Sequence, residues 1–350
     1  MSDTISKNDQ SFLDRYFKLK AKGTNVRTEI IAGITTFVAM AYIIFVNPSI
    51  LKEAGIPVEA AVAATIWSAA LCTIAMGLFA NLPVAMAPGM GLNAFFTFYV
   101  CKTVGLNWET ALGAVFVSGL VFFVLTVTKL RQMIIDAVPM SLKSATVVGI
   151  GMFIAFVGLQ SSNLIVESPA TKITLGTFSD PKVDLALLGV LIIGALLALK
   201  IRAAMLIGIV TVTVIGMIFG VTKAPEGISD VVSFSFPGMG ETFLKMDLVG
   251  AFHYGLISII FTFTIVELFD NIGTLIGVTK AAGLVDKDGK IENCDRALMT
   301  DSVGTLLSAT MGTCAVTSYV ESSAGVNVGG KTGLTAVVVG ICFLLAFFFS

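Results

Sequence analysis

Two acids stand one helical turn apart, Glu267 and Asp270, inside the run FTFTIVELFDNIGTLIGV at 261–278. Asn271 and Thr274 extend the polar positions at the i, i+3 and i, i+4 spacings that bring side chains together on a helix. Asp301 lies in a second run of mixed apolar and small residues, and Glu321 lies in SYVESS with Ser318, Ser322 and Ser323. A charge at the centre of a bilayer costs roughly 2.5–3.5 kcal/mol on insertion scales, so none of these acids is expected to face lipid. Two ionised acids so close repel, and loss of water disfavours both charges. An acid held that way is poised to exchange a proton, as in transporter carboxylate relays. A carboxylate also accepts hydrogen bonds from the N–H groups of a ligand. The structural alternative pairs each acid with a buried Lys or Arg, but no basic residue lies well inside an apolar run. The functional role is therefore expected first of Asp270 and Glu321. Glu267 and Asp301 fit either proton exchange or a helix-fixing hydrogen bond. His253 is expected at a membrane interface.

The surrounding chain is a membrane protein by composition. Of its 350 residues, 56% are hydrophobic and 13% charged, with mean hydropathy +0.93, whereas soluble domains carry about 25% charged residues. The net charge of −1 is uninformative, but no basic, aromatic-interleaved patch appears, so no nucleic-acid partner is expected. With no CxxC pair among five cysteines and one histidine, neither a metal site, a cofactor nor a disulfide framework is expected. No HExxH, His pair or nucleophile motif points to an enzyme. The polar, basic N-terminus has no signal-peptide core.

A span needs about 20 apolar residues. Such runs occur near Ile30–Ser49, Val58–Ala80, Leu82–Cys101, Trp108–Thr128, Ser141–Leu159, Asp184–Ile201, Ala203–Val221, Leu248–Val278, Ala297–Gly312, Thr313–Gly330 and Thr332–Phe349. The expected architecture is all-α and polytopic, with about eleven embedded segments. If the N-terminus is cytoplasmic and sides alternate, 16 of the 22 Lys and Arg residues fall inside, which the positive-inside rule requires. The turn DKDG at 286–289 is then cytoplasmic. The chain closes on ICFLLAFFFS with no polar tail, so further segments are expected beyond Ser350.

Two segments cannot be straight helices. The third, NLPVAMAPGMGLNAFFTFYV, carries Pro83, Pro88, Gly89 and Gly91. Proline removes a backbone donor and clashes one turn back. An extended stretch to about Gly89 and a half-helix from about Gly91 are expected, with Asn93 in its first turn. The tenth, GTCAVTSYVESSAGVNVGG, is rich in β-branched and aromatic residues. It reads as extended to about Val320, with Ser318 and Glu321 at the break. Non-helical backbone at membrane depth must be buried in protein or line a cavity. Paired interrupted segments point to a transporter's binding site. Asn93 lies 51 residues after Tyr42, and Glu321 lies 51 after Asp270. That match suggests an inverted repeat with an offset of about 225 residues. A plain kink, or helix packing through GxxxG, is the simpler reading of the glycines.

NVRTEIIAGITTFVAMAYIIFVNPSIL, APGMGLNAFF, LFDNIGTLIGVTKAAGL and TSYVESSAGVNVGGKTGLTAV together resemble the adenine/guanine/hypoxanthine permeases, the AzgA-like branch of the nucleobase–ascorbate transporter superfamily. The resemblance runs from about Phe12 to the end of the chain. It implies a 7+7 inverted-repeat fold with core and gate domains. That divides this chain into a cytoplasmic tail at 1–29, first core half at 30–128, first gate half at 129–247 and second core half at 248–350. The second gate half is not in this sequence. It implies proton-coupled import of a purine base across the bacterial inner membrane by a multi-pass protein, with a homodimer as a candidate assembly. Transfer of another nucleobase, such as uracil or xanthine, or anion exchange on the same fold, are the alternatives. A channel would need a continuous polar stripe. The resemblance assigns base binding to Asp270, Glu321, Asn93 and Gly91; the break adds Ser318. Proton coupling falls to Asp270, Glu267 and Asp301. Glu267 stands where relatives often have Asp or Asn, and Cys314 where they often have Ser or Thr.

Overall fold

The computed structural model describes residues 12–130, 139–169, 171–201, 203–222, 238–253, 257–285 and 291–349. The turn read at 286–289, the start of the N-terminal tail and Ser350 lie outside them. A short helix α1 (Phe12–Phe17) precedes α2 (Val26–Met40), which Asn25 caps by accepting from the Thr28 amide at 3.0 Å. α3 (Ile43–Glu53) continues the same span after a bend at Ala41–Tyr42, where the bonds Ile44 N to Ala41 O and Phe45 N to Tyr42 O tighten the turn. α4 (Val58–Ala75) runs into a π-helical turn, Met76–Ala80. The third segment then breaks as its prolines require. Strand β1 (Met86–Pro88) is followed by α5 (Met90–Ala94), which continues as a π-helix, Phe95–Thr103.

α6 (Trp108–Val127) and α7 (Met140–Ser161) come next, followed by the hairpin β2 (Ile165–Ser168) and β3 (Lys172–Leu175). α8 (Pro181–Ala198) starts at a proline behind the Asp180 cap, and α9 (Ala204–Ile218) packs on it. The second half holds α10 (Leu248–His253), α11 (Ile257–Ala281), α12 (Cys294–Met311), β4 (Val316–Ser318), α13 (Ser322–Val326) and α14 (Gly333–Leu345). The tenth segment is therefore broken as expected. The first span begins four residues before the apolar run, at Val26, because its first turn is buried through Glu29 rather than solvated.

Helices α2, α4 and α14 pack together, as do α6, α10, α11 and α12, and the α4–α12 contact joins the two groups. Glycine permits the closest approach. A Cβ on Gly333 would stand 1.9 Å from the Gly77 carbonyl oxygen, so α14 and the end of α4 meet backbone to backbone. Among the described residues five stretches are long and apolar enough to cross a membrane: Val26–Glu53, Val58–Ala80, Trp108–Val127, Pro181–Ala198 and Ile257–Ala281. Their outer faces are apolar and open; Leu191 on α8 and Phe261 on α11 are examples. The Lys22–Glu292 ion pair (3.0 Å) and the Lys102–Glu53 pair involve separate loop groups.

Glu29 ties the two ends of the chain together. Its Oε1 accepts from the Lys331 amide at 2.9 Å, and its Oε2 accepts from the amides of Thr332 and Thr335 at 3.2 Å each and from Thr335 Oγ1 at 2.6 Å. The carboxylate thereby satisfies the free amides at the start of α14. Each buried amide left without a partner costs about 1–3 kcal/mol. Glu29→Ala should therefore destabilise the protein by more than about 3 kcal/mol. Glu29→Gln should fall between it and wild type. Thermal denaturation in detergent checks this order; equal midpoints for Glu29→Ala and wild type would contradict it.

Candidate functional site

The two broken segments meet each other. β1 and β4 pair antiparallel, with Met86 opposite Ser318, Ala87 opposite Thr317 and Pro88 opposite Val316. The pairing extends through Gly89 N to Ala315 O and Tyr319 N to Ala85 O, both 2.9 Å. Side chains close the remaining backbone groups. The Thr73 hydroxyl accepts from the Met86 amide and donates to the Met86 carbonyl, each at 2.9 Å. Ser322 Oγ accepts from the Ala85 amide at 2.9 Å, and Tyr319 donates to Pro88 O at 2.5 Å. Pro88 and Val316 are 228 residues apart, the same separation as Tyr42 from Asp270 and Asn93 from Glu321. The pseudo-twofold of the repeat therefore passes through the Pro88–Val316 pair.

α5 and α13 start on either side of this crossing, and neither has a side-chain cap. Glu321 precedes α13 and is half-buried. Tyr42, from the bend between α2 and α3, donates its hydroxyl to Glu321 Oε1 at 2.7 Å. Asp270 is half-buried on α11, within electrostatic reach of Glu321. Tyr319 stands in the field of Tyr42, Glu321 and Asp270. Among the described residues, Glu321 Oε2 and both Asp270 oxygens accept no hydrogen bond. α7 packs against both α5 and α11 beside them. Gly91 is half-buried in the first turn of α5.

The other candidate residues lie deeper. Ser318 donates to Asn271 Oδ1 at 3.0 Å, tying β4 to α11. Asn93 donates through Nδ2 to Asn47 Oδ1, while Asn47 Nδ2 reaches Thr65 Oγ1 at 2.7 Å and Thr313 Oγ1 at 3.0 Å. Asn93 is fully buried, and its Oδ1 has no partner among the described residues. Glu267 and Asp301 are fully buried, and Thr305 donates to Glu267 Oε1 across the α11–α12 contact. Burial varies along the polar stripe of α11: Glu267 and Asn271 are buried, while Asp270 and Thr274 are half-buried.

Tyr42, Asn47, Thr65 and Thr305 were not singled out as site residues. For Tyr42 the signal was present, because the repeat makes it the counterpart of Asp270. A lone Asn or Thr in a span gives no such signal.

The model of the Permease family (Xan_ur_permease) matches residues 27–350. The chain belongs to that family. Among the relatives of this permease, the adenine permease AdeP of Escherichia coli (strain K12) is 44% identical over 99% of this chain and 77% of its own length. The adenine permease AdeQ of the same organism is 45% identical over 100% of this chain and 77% of its own. The guanine/hypoxanthine permease PbuO of Bacillus subtilis (strain 168) is 41% identical over 95% and 77%. The fold is similar to the transmembrane domain of the cyanobacterial bicarbonate transporter BicA, with TM-score 0.64 and 17% identity over 93% of this chain and 83% of that one. It is also similar to SLC26A9, with TM-score 0.58 and 13% identity over 96% and 55%. The permease thus shares the fold of these two membrane proteins.

Because the crossing depends on side-chain partners, Thr73→Val is a sharp perturbation. It keeps the shape but removes both bonds to Met86, leaving a buried amide and carbonyl unsatisfied at about 1–3 kcal/mol each. A thermal midpoint clearly below wild type is expected. Thr128→Val, which loses only local bonds to Val124 O and Leu125 O at the exposed end of α6, should leave the midpoint unchanged. Equal effects of the two would contradict the role given to Thr73.

Proposed function

We propose that the permease imports a purine base, adenine, guanine or hypoxanthine, by proton symport across the plasma membrane, with its N-terminus in the cytoplasm. The observation that carries this reading is the pair of half-buried carboxyls, Asp270 and Glu321, with acceptor capacity left open beside the β1–β4 crossing. A purine edge offers ring and exocyclic N–H donors to such acceptors. The names of the relatives, adenine and guanine/hypoxanthine permeases, support this substrate class. In this reading the base lies against the Gly91 backbone, between the starts of α5 and α13. Glu321 receives its N–H groups through Oε2 while Tyr42 fixes Oε1. Asp270 takes the coupled proton and shares the base. Ser318 and Asn93 hold the walls in place, and Glu267 and Asp301 lie behind as candidate proton carriers.

The segments 30–128 and 248–350 form the core, and 129–247 contributes to a gate against which the core rocks. The contacts of α7 with α5 and α11, and of α9 with α2, are among those through which the two units meet. A membrane potential of 100 mV contributes roughly 2.3 kcal/mol per charge, so one proton supports about fiftyfold accumulation. An anion exchanger would place a cation or a neutral group where Glu321 stands. The acids therefore favour a base with N–H donors.

Uptake of radiolabelled adenine and hypoxanthine into cells, with and without a protonophore, tests the reading. Saturable uptake that collapses with the protonophore is expected. Asp270→Asn should abolish accumulation, and Glu321→Gln should weaken the apparent affinity by about tenfold or more, the worth of a charge-assisted hydrogen bond. Uphill uptake by Asp270→Asn, or unchanged affinity in Glu321→Gln, would overturn the roles assigned.

A further inference from the structure

A second concavity lies behind the crossing, on the outer face between α4 and α12, with Met86 Cε 3.6 Å from where a Cβ on Gly304 would stand. Its volume is about 400 Å³, and its lining is almost wholly apolar, with Cys72, Ala75 and Gly304 at its floor. The helices close together there: a Cβ on Gly304 would meet Cys72 Sγ at 3.1 Å. The flanks are exposed apolar side chains, Phe79 and Val303 among them, so the groove opens sideways toward lipid. It runs along α12 from Asp295 to Leu307. At 1.5 Å per residue that is about 18 Å, close to the roughly 15 Å hydrocarbon depth of one leaflet.

Only one end is charged. Asp295 and Arg296, adjacent and exposed in the first turn of α12, stand at the mouth. Among the described residues neither forms an ion pair, and Arg296 makes only a 3.5 Å hydrogen bond to Phe79 O. The mouth lies at interface level. Tyr16 of α1 donates to Leu78 O at 3.0 Å, and exposed Phe12 and Tyr16 form the aromatic pair expected at a membrane surface.

The geometry points to a structural phospholipid site that takes one acyl chain of a phosphatidylethanolamine. The groove holds the chain, Arg296 binds the phosphate and Asp295 accepts from the primary ammonium. A cation and an anion side by side match a zwitterionic headgroup with N–H donors. Phosphatidylglycerol offers Asp295 neutral hydroxyls but no cation, and phosphatidylcholine has no N–H to donate. This inference does not depend on what the permease transports.

The test is native mass spectrometry of the delipidated full chain in detergent, mixed with equimolar dioleoyl phosphatidylethanolamine, phosphatidylcholine and phosphatidylglycerol. Wild type should retain one phosphatidylethanolamine about tenfold above the other two lipids, the scale of one charge-assisted hydrogen bond. The exposed double variant Asp295→Asn/Arg296→Gln should fold normally and lose that preference. Ala75→Phe, which fills the groove, should lose the bound lipid altogether. Equal retention of the three lipids by wild type, an undiminished preference in the double variant, or dimerisation through this face with no lipid bound would each overturn the proposal.

Discussion

Backbone amides and carbonyls in the middle of a bilayer have no water to turn to, and a segment broken by Pro83, Pro88 and Gly89 exposes several of them. Each broken segment here is the hydrogen-bonding partner of the other. Three residues of β1 pair with three of β4, and Thr73, Ser322 and Tyr319 supply the bonds that so short a ladder cannot. The placement of the half-helices follows from that requirement. Antiparallel pairing about the Pro88–Val316 position puts the starts of α5 and α13 on opposite sides of one point. The juxtaposition of two helix starts is then a consequence of satisfying backbone, not a separate invention.

The same logic sorts the polar side chains into two populations. Those that hold helices together are fully buried and face one another: Asn47 with Asn93, Thr65 and Thr313, Glu267 with Thr305, and Glu29 with the start of α14. Asp270 and Glu321 differ in being half-buried and in keeping acceptor capacity. Buried carboxylates are expensive unless paired, so acids left partly open beside the strand crossing are the groups from which binding and proton exchange are expected. Tyr42 refines the picture. By donating to one oxygen of Glu321 it fixes the carboxylate's orientation and leaves the other oxygen without a hydrogen bond among the described residues.

Much of this was legible in the residues. Composition and run lengths gave a polytopic membrane protein, and proline and glycine marked the break at the third segment. The acids stood out because lipid penalises them. The equal spacings of Tyr42–Asn93 and Asp270–Glu321 anticipated the repeat that the strand register then expressed. What was not legible depends on pairing between distant positions. Glu29 lies outside any apolar run and reads as part of a solvated tail, yet its partners are more than 300 residues away. Asn47 and Thr65 resemble any polar residue tolerated in a span. The different burial of Glu267 and Asp270 on α11 depends on what packs there, β4 and the Thr305 hydroxyl of α12.

The most direct measurement is a structure of the permease with adenine bound. The account predicts a base beside Gly91, with its N–H groups about 2.7–3.2 Å from Glu321 Oε2 and Asp270, and with Tyr42 still donating to Glu321 Oε1. Adenine bound elsewhere, with Asp270 and Glu321 free of contact to it, would contradict the central claim that these two carboxyls at the strand crossing hold the substrate.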